Sequence, residues 1–181
     1  MSDKNENFLN DKILVFSLSN KKDEVSHKIG EDNDEEEYAL NIGQVREIIN
    51  YDSNITRMPG RPNYIVGIKN IRGETVSIMD LGYRLNYEVD YKQAKIVIAY
   101  VHGEKVGLIV QSVKDVLFID ENECEAAPYR EGIDFVKGII KKYEYDSDDI
   151  DSRKVKKTRV ITILDADKII KEEDTKYELV D

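Results

Sequence analysis

The chain has few of the residues that usually mark a chemical site. Its 181 residues include one cysteine, Cys124, two histidines and no tryptophan. A single cysteine cannot form an internal disulfide, which suits a reducing compartment. His27 lies in a charged segment and His102 beside a predicted turn, and no second Cys or His stands at ligand spacing near either. The sequence therefore predicts no metal and no cofactor.

Long apolar runs and excess positive charge are also missing. No run approaches the roughly 18 residues of a membrane span, and Met1–Asn5 shows no apolar signal region. The net charge of −10 argues against nonspecific binding to DNA or anionic lipid, because neutralising phosphates requires clustered Lys and Arg. With 40% hydrophobic residues the chain can still build a core. We expect a soluble, cytoplasmic protein.

Assembled catalytic motifs are absent as well. There is no phosphate-binding P-loop, dinucleotide glycine fingerprint, nucleophile elbow or HExxH helix, and Cys124 has no histidine beside it. Asp32-Asn33-Asp34 and Asp146-Ser147-Asp148 place oxygens at alternate positions but lack the later Gly and Glu of a calcium loop. The sequence favours a non-enzymatic binding module. An enzyme whose catalytic pair is not visible in the sequence and a nucleic-acid-binding barrel remain alternatives.

What the chain does contain is an internal repeat. The related segments are Lys12–Val15 with Lys95–Ile98, Leu40–Ile48 with Leu108–Val116, Tyr64–Ile68 with Phe135–Ile139, and Val76–Asp80 with Ile161–Asp165. A proline, Pro59 or Pro128, lies between the second and third segments of each copy. Repeated units of this length indicate two copies of one folding unit rather than a short-period solenoid.

The spacing between copies locates two insertions. The first strands are 83 residues apart and the second strands 68, whereas the closing aspartates are 85 apart. The extra residues fall in the charged segments 21–37 and 143–158, which we expect to be surface loops. We assign 11–90 to a first barrel, 91–171 to a second, and 172–181 to a frayed tail.

Each copy reads as about five short strands. The apolar positions change phase after Ile42 and again after Val110, which predicts a bulge or bend at the same place in both copies. Hairpins are expected around Arg72-Gly73 and around Gly103-Glu104, the second as a type II′ turn. Short helical turns should follow each final strand, and Asp165 should cap the second of them.

An ordered set of motifs resembles the CheW-type chemotaxis coupling (adaptor) proteins. The motifs are Val45-x-Glu47-Ile48, Ile55–Pro59, Tyr64–Ile68, Asn70–Gly73 and Ile78–Leu81, and the likeness covers roughly residues 11–171. The resemblance implies a mostly β fold of two interlocked SH3-like five-stranded antiparallel barrels, with one such domain overall. Ser77 and Gly82 depart from the family pattern, which usually has Pro and Arg there.

The resemblance also implies a function: a non-enzymatic adaptor that couples chemoreceptor tips to the regulatory domain of the histidine kinase CheA, in arrays at the inner face of the membrane. Coupling to a side-pathway kinase is the alternative. Receptor-binding positions would be Glu47, Arg72, Ile96 and Gly107. Kinase-binding positions would be Val45, Gly67 and Lys95. For the apolar members, ordinary core packing is the competing interpretation.

The sequence further predicts an ion pair between Glu47 and Arg72. A carboxylate on a strand face shared with Val45 and Ile49 is costly unless it is paired, and a planar guanidinium at the nearby turn suits it.

Overall fold

A computed structural model describes residues 11–18, 36–120, 123–127, 134–145 and 155–176. The strands are β1 (Asp11–Ser17), β2 (Glu37–Asn41), β3 (Val45–Asn50), β4 (Ile65–Ile71), β5 (Glu74–Asp80), β6 (Lys95–Val101), β7 (Glu104–Val110), β8 (Ser112–Ile119), β9 (Cys124–Ala126), β10 (Val136–Tyr145) and β11 (Val155–Leu164). The helical turns are α1 (Leu81–Arg84), α2 (Ala166–Ile169) and α3 (Glu172–Thr175), and a 3-10 turn covers Ile42–Gln44. No helix in these ranges is long and apolar enough to cross a membrane.

The strands form two sheets. One sheet has six strands in the order β8-β1-β2-β11-β10-β9, and the other has five in the order β3-β6-β7-β5-β4. Neighbours are antiparallel except for one parallel pair in each sheet, β2 with β11 and β5 with β7. The mostly β, two-unit SH3-like fold is confirmed. The sixth strand is β9, which pairs with β10 and has no strand counterpart in the first copy.

The sequence repeat maps one sheet onto the other strand by strand. β8, β1, β2, β11 and β10 occupy the places that their repeat partners β3, β6, β7, β5 and β4 occupy in the five-stranded sheet. The first hairpin of each copy, however, lies in the sheet of the other copy. The boundary near residue 90 therefore separates the copies along the sequence, whereas each sheet takes strands from both.

The predicted change of phase is a bend at which the chain passes from one sheet to the other, at the 3-10 turn Ile42–Gln44 in the first copy and at Gln111 in the second. A bulge follows each bend, at the start of the next strand. Arg46 is skipped between β3 and β6, and Lys114 is skipped between β8 and β1. A second pair of equivalent bulges skips Val66 in β4 and Lys137 in β10. Bulges increase the local twist and bend the strand, so their repetition gives both sheets the same curl.

Both turns join the strands that the sequence predicts, but the second turn differs from the prediction in its two residues and in its type. Arg72 and Gly73 both have positive φ, 54° and 87°, in the two-residue turn between β4 and β5. The turn between β6 and β7 is His102-Gly103, with φ of 52° and 82°, so it is type I′. The predicted type II′ turn at Gly103-Glu104 is wrong, because β7 already begins at Glu104.

Both helical turns after the final strands are capped, and the cap at Asp165 is the one that the sequence predicts. Asp80 accepts a hydrogen bond from the Tyr83 N–H, at 2.8 Å, at the start of α1. Asp165 accepts one from the Asp167 N–H, at 3.2 Å, at the start of α2. These are repeat-related N-caps.

Three apolar clusters hold the sheets. One lies within the six-stranded sheet and includes Ile13, Val15, Ile140 and Ile161. One lies within the five-stranded sheet and includes Val76, Ile78, Ala94, Ile96, Ile98 and Ile109. The largest is the seam between the sheets, which joins Leu14, Phe16 and Leu40 to Met79, Val97 and Leu108 and adds residues of α2.

The bounds of the predicted insertions and tail differ from the strands and helices that the structure shows. Most of the first insertion lies outside the described residues, but Glu37 belongs to β2. Part of the second insertion belongs to the β10–β11 hairpin, since Tyr143 pairs with Thr158. The tail is not frayed throughout: α3 buries Asp174 and Thr175, to 2% exposure each. His27, Pro128 and both acidic triplets lie outside the described residues.

Candidate interaction surface on the five-stranded sheet

The seven predicted binding residues all lie on the five-stranded sheet or in one of its turns. Val45 and Glu47 are on β3, Gly67 on β4, Arg72 in the turn that follows, Lys95 and Ile96 on β6, and Gly107 on β7. They do not form one cluster. The exposed members can contact a partner directly, whereas the buried ones can act only through packing.

Glu47 and Arg72 form the predicted ion pair. The Arg72 Nε and Nη2 atoms lie 3.1 Å and 3.0 Å from the same Glu47 oxygen, Oε2. Arg72 is 80% exposed and Glu47 26% exposed, so the pair is on the surface. It displays a guanidinium next to a carboxylate on the outer end of the sheet, where a partner can reach both.

Ile96 and Gly107 are buried in the core of the five-stranded sheet. Ile96 has no exposed surface. A Cβ added at Gly107 would lie 2.5 Å from Ile78 Cδ1 and 2.9 Å from Ile96 Cγ2, so this glycine makes room for two isoleucines. A partner cannot touch either position without opening the core. Substitutions here would act on binding through packing.

Gly67 is required by a close approach of the backbone. A Cβ at this position would lie 2.1 Å from the Thr56 carbonyl oxygen and 3.0 Å from the Arg57 Cα. Thr56 and Ile68 exchange two backbone hydrogen bonds of 2.8 Å, which hold the segment before β4 against that strand. Val45 is half-buried at the start of β3 and packs on the seam.

Lys95 stands apart from the other two kinase-side candidates. It begins β6 and donates a 2.6 Å hydrogen bond to Asn50 Oδ1, whereas Val45 pairs with Ala99 four residues further along β6. At about 3.3 Å per residue this places Lys95 and Val45 roughly 13 Å apart along the strand. The three positions are thus spread along the sheet rather than gathered in one patch.

One feature that sequence reasoning missed lies between the two hairpin turns. A cleft of about 480 Å³ is lined by residues 73–75, Tyr100 and residues 103–105. Tyr100 is 43% exposed, and the Arg46 guanidinium lies 5.2 Å from the centre of its ring. Ile96 and Ile98 point into the core, and Tyr100 continues the same alternation where the core ends.

At the corresponding end of the six-stranded sheet, an arginine forms ion pairs with two carboxylates. Arg159 binds Glu37 through Nε and Nη2, at 2.8 Å and 3.0 Å, and binds Asp115 through Nη1, at 3.0 Å. The hydrogen bonds that Arg159 donates to the Asp115 and Glu37 carboxylates raise the pKa of its guanidinium above the ordinary value. Arg159 and Glu37 are only 17% and 14% exposed. In the described part of the chain no group of His, Cys, Asp and Glu is placed to hold a metal.

The two departures from the family pattern have structural partners. The Ser77 hydroxyl donates a 2.8 Å hydrogen bond to the Asp174 carbonyl and so ties α3 to β5. A Cβ at Gly82 would lie 2.4 Å from Val89 Cγ2 and 3.3 Å from the Leu18 carbonyl oxygen. An arginine at 82 would require that packing to change.

Comparison with known proteins agrees with this architecture. A CheW-like domain model matches residues 32–174. The chemotaxis protein CheW of Bacillus subtilis (strain 168) is 33% identical, with 94% of each chain covered. CheW of Klebsiella aerogenes is 33% identical over 64% of this chain and 61% of its own length. The crystal structure of the scaffolding protein TtCheW from Thermoanaerobacter tengcongensis superposes with a TM-score of 0.67 and 29% identity, covering 92% of this chain and 97% of that one.

The chain therefore belongs to the CheW-like family. It is an adaptor of the chemotaxis scaffold type, built from two SH3-like sheets that exchange their first hairpins.

Proposed function

We propose that this adaptor couples the cytoplasmic tips of chemoreceptors to the regulatory domain of the histidine kinase CheA and has no enzymatic activity of its own. It would work in the cytoplasm, recruited to receptor arrays at the inner face of the membrane. The observation that carries the proposal is the exposed Glu47–Arg72 pair, standing on the family's ordered motif set in a chain of the CheW-like family.

The geometry supports a division of labour on the five-stranded sheet. Glu47 and Arg72 would meet the receptor, with Ile96 and Gly107 supporting that face from the core below it. Val45, Gly67 and Lys95 would meet the kinase, with Gly67 acting by letting the Thr56 segment lie against β4. Two weak contacts made at once gain strength by effective concentration, which is how an adaptor can hold an array together.

Co-sedimentation with membranes carrying receptors, with and without kinase, tests the proposal. We expect the chain to pellet with receptors, to carry kinase with it, and to raise kinase output steeply. Arg72→Glu and Glu47→Arg should each weaken receptor recruitment, and the doubly exchanged variant should recover part of it, because the ion pair is restored with its direction reversed.

A control variant distinguishes the loss of the specific Glu47–Arg72 contact from the effect of a changed net charge. Glu88→Lys changes the net charge by the same amount as Glu47→Arg. Glu88 is exposed and lies in the connection before β6, away from the Glu47–Arg72 pair. It should pellet like the unchanged chain. Failure of the unchanged chain to pellet with either partner, or turnover of a small substrate by the chain alone, would contradict the proposal.

A further inference from the structure

The Glu47 carboxylate reaches the end of the five-stranded sheet because β3 contains a bulge. The bulge at Arg46 brings Glu47 opposite Ile98, which belongs to the core of this sheet. In a regular ladder Glu47 would lie opposite Val97, whose side chain is buried in the seam. Since successive residues of a strand point to opposite faces, the bulge turns Glu47 away from the seam and towards the end of its own sheet.

Arg72 meets Glu47 from a turn that an arginine does not favour. Its φ of 54° is left-handed, and a type I′ turn usually has asparagine or glycine at this place. Asn86 and His102 are the other non-glycine residues with positive φ in the part of the chain that the structure describes. Asparagine tolerates this conformation, and the His102 ring is held by the Ile170 carbonyl oxygen, 2.7 Å from Nε2. The turn that carries Arg72 needs a support of its own.

That support comes from Asn70. Its Oδ1 atom accepts a hydrogen bond of 3.1 Å from the N–H of Gly73, the second residue of the turn. An asparagine side chain that binds the backbone of a turn in this way restricts the dihedral angles of the turn. In the β6–β7 hairpin, Tyr100 stands at the corresponding place, and its ring lies against the Arg46 guanidinium instead.

The repeat distinguishes what both copies share from what belongs to this turn. Asp115, the counterpart of Glu47, also follows a bulge, but it binds Arg159. Where the first copy has Asn70 and Arg72, the second copy continues as strand β10 and has no turn. The bulge is therefore common to both copies, whereas the braced turn that brings an arginine to the carboxylate is a feature of the first.

We propose that Asn70 is a positioning residue for partner binding: it fixes the turn that holds the Arg72 guanidinium on Glu47 before a partner arrives. Arg72 is 80% exposed, and an unrestrained side chain of this length would lose conformational entropy on binding. With the turn fixed, Nε and Nη2 stay 3.1 Å and 3.0 Å from one Glu47 oxygen, so part of that loss has already occurred in the free chain. The receptor as the partner rests on the proposed function; the hold of Asn70 on Arg72 does not.

The first test needs no partner. In the ¹⁵N-labelled full chain, the Arg72 Nε–H signal, assigned by its absence in Arg72→Ala, reports how firmly the guanidinium is held, because a hydrogen-bonded N–H exchanges slowly with water. Asn70→Ala should raise this exchange rate by roughly two- to ten-fold, the factor expected for one lost hydrogen bond. Asn70→Asp keeps an acceptor oxygen at the same place and should restore the slow rate. Asn63→Ala removes another exposed asparagine side chain, two residues before β4, and should leave the rate unchanged.

The second test asks whether Asn70 acts through Arg72. Asn70→Ala should weaken co-sedimentation with receptor-carrying membranes by roughly two- to ten-fold, the effect of leaving one long side chain unrestrained, and Asn70→Asp should recover it. In an Arg72→Ala background the same Asn70→Ala change should have no further effect, since no guanidinium is left to position. A merely structural role would give equal losses in both backgrounds. Thermal melts check that each variant folds.

An unchanged Arg72 signal in Asn70→Ala, an equal change in Asn63→Ala, or no recovery in Asn70→Asp would overturn the hold of Asn70 on Arg72. A changed signal with undiminished pelleting, or equal losses in both backgrounds, would overturn its part in recognition. Failure of the unchanged chain to pellet contradicts the proposed function, while the Arg72 signal still decides whether Asn70 positions the arginine.

Discussion

At the scale of single residues, the Glu47–Arg72 pair follows from a local rule, and we propose that it serves recognition. The sequence predicts it because a strand carboxylate needs a partner and a turn arginine is near enough to supply one. The structure confirms the pair but moves it to the surface, where solvent screens it. Its contribution to folding should therefore be small and its contribution to recognition larger.

A double-mutant cycle with Glu47→Gln and Arg72→Ala measures both contributions. With Arg72 80% exposed, we expect a coupling of about 0.2–1 kcal/mol in the free energy of unfolding, read by urea titration. In receptor binding, the two single effects should sum to more than the effect of the double variant. Strictly additive effects on both measurements, or full receptor binding by Arg72→Ala, would refute the role of the pair.

Gly67→Ala tests whether a candidate kinase-binding residue acts through the backbone. The added Cβ would meet the Thr56 carbonyl at 2.1 Å, and a backbone atom cannot rotate away as a side chain can. We expect a loss of about 1–3 kcal/mol in the free energy of unfolding and faster hydrogen exchange at the Thr56 and Ile68 amides. Gly103→Asn, at an open left-handed position, is the control and should change neither. Unchanged exchange in Gly67→Ala would show that the Thr56 segment moves freely.

Asp52 gives a prediction for pH. The hydrogen bond from the buried Lys69 ammonium, at 2.6 Å, holds the pKa of the Asp52 carboxyl below its ordinary value. A carboxyl with a lowered pKa in the folded state stabilises the fold above its ordinary pKa, and this contribution is lost as the pH falls through the folded value. Asp52→Asn should be less stable at neutral pH and should lose less stability on acidification. Urea titrations over that pH range measure it, and parallel curves for both chains would contradict it.

Other residues show what sequence alone does not reveal. Ile96 and Tyr100 lie on the same face of β6, yet one is buried and the other 43% exposed. The alternation of a strand gives the face, but the point where the core ends depends on which strands are its neighbours. The burial of Ile96 and Gly107 and the cleft at Tyr100 both depend on that point.

At the scale of elements, the repeat allows each half to serve as a control for the other. Arg159 binds two carboxylates at one end of the six-stranded sheet, whereas its counterpart Glu74 pairs with the exposed Lys105. Arg159→Gln would leave Glu37, 14% exposed, without its charge partner. We expect it to cost about 1–3 kcal/mol in the free energy of unfolding, and Lys105→Gln less than about 1. Equal costs would mean that closure of the sheet end by Arg159 contributes nothing.

The bends and the Asp165 cap were predictable because they follow from local pattern. The phase change after Ile42 and after Val110 required a bend, and the structure has one at Ile42–Gln44 and one at Gln111. The turn type at His102-Gly103 was not predictable from the glycine alone, because a type I′ turn also requires the histidine to adopt positive φ. The register between the strands settles which two residues form the turn.

At the scale of the whole molecule, the repeat in the sequence does not predict that the two copies exchange their first hairpins. The β1–β2 pairing is the same whether the hairpin joins its own copy or the other one. The distinction rests on contacts between copies: the parallel pairings of β2 with β11 and of β5 with β7, and the seam core that joins both sheets. A repeat in sequence indicates two similar units but does not say which strands each unit contains.

The exchange predicts how the chain behaves when it is divided between the copies. A fragment of residues 1–90 would hold β1–β5, and one of residues 91–181 would hold β6–β11, so neither has a complete sheet. Each would expose half of the seam core, and we expect neither to fold alone. Mixed in equal amounts they should recover the native NMR spectrum, since each supplies the hairpin that the other lacks. The undivided chain should unfold in a single transition because the seam couples both sheets. A cooperative thermal transition in either fragment alone would show that the exchanged hairpin is dispensable and that each copy is a unit by itself.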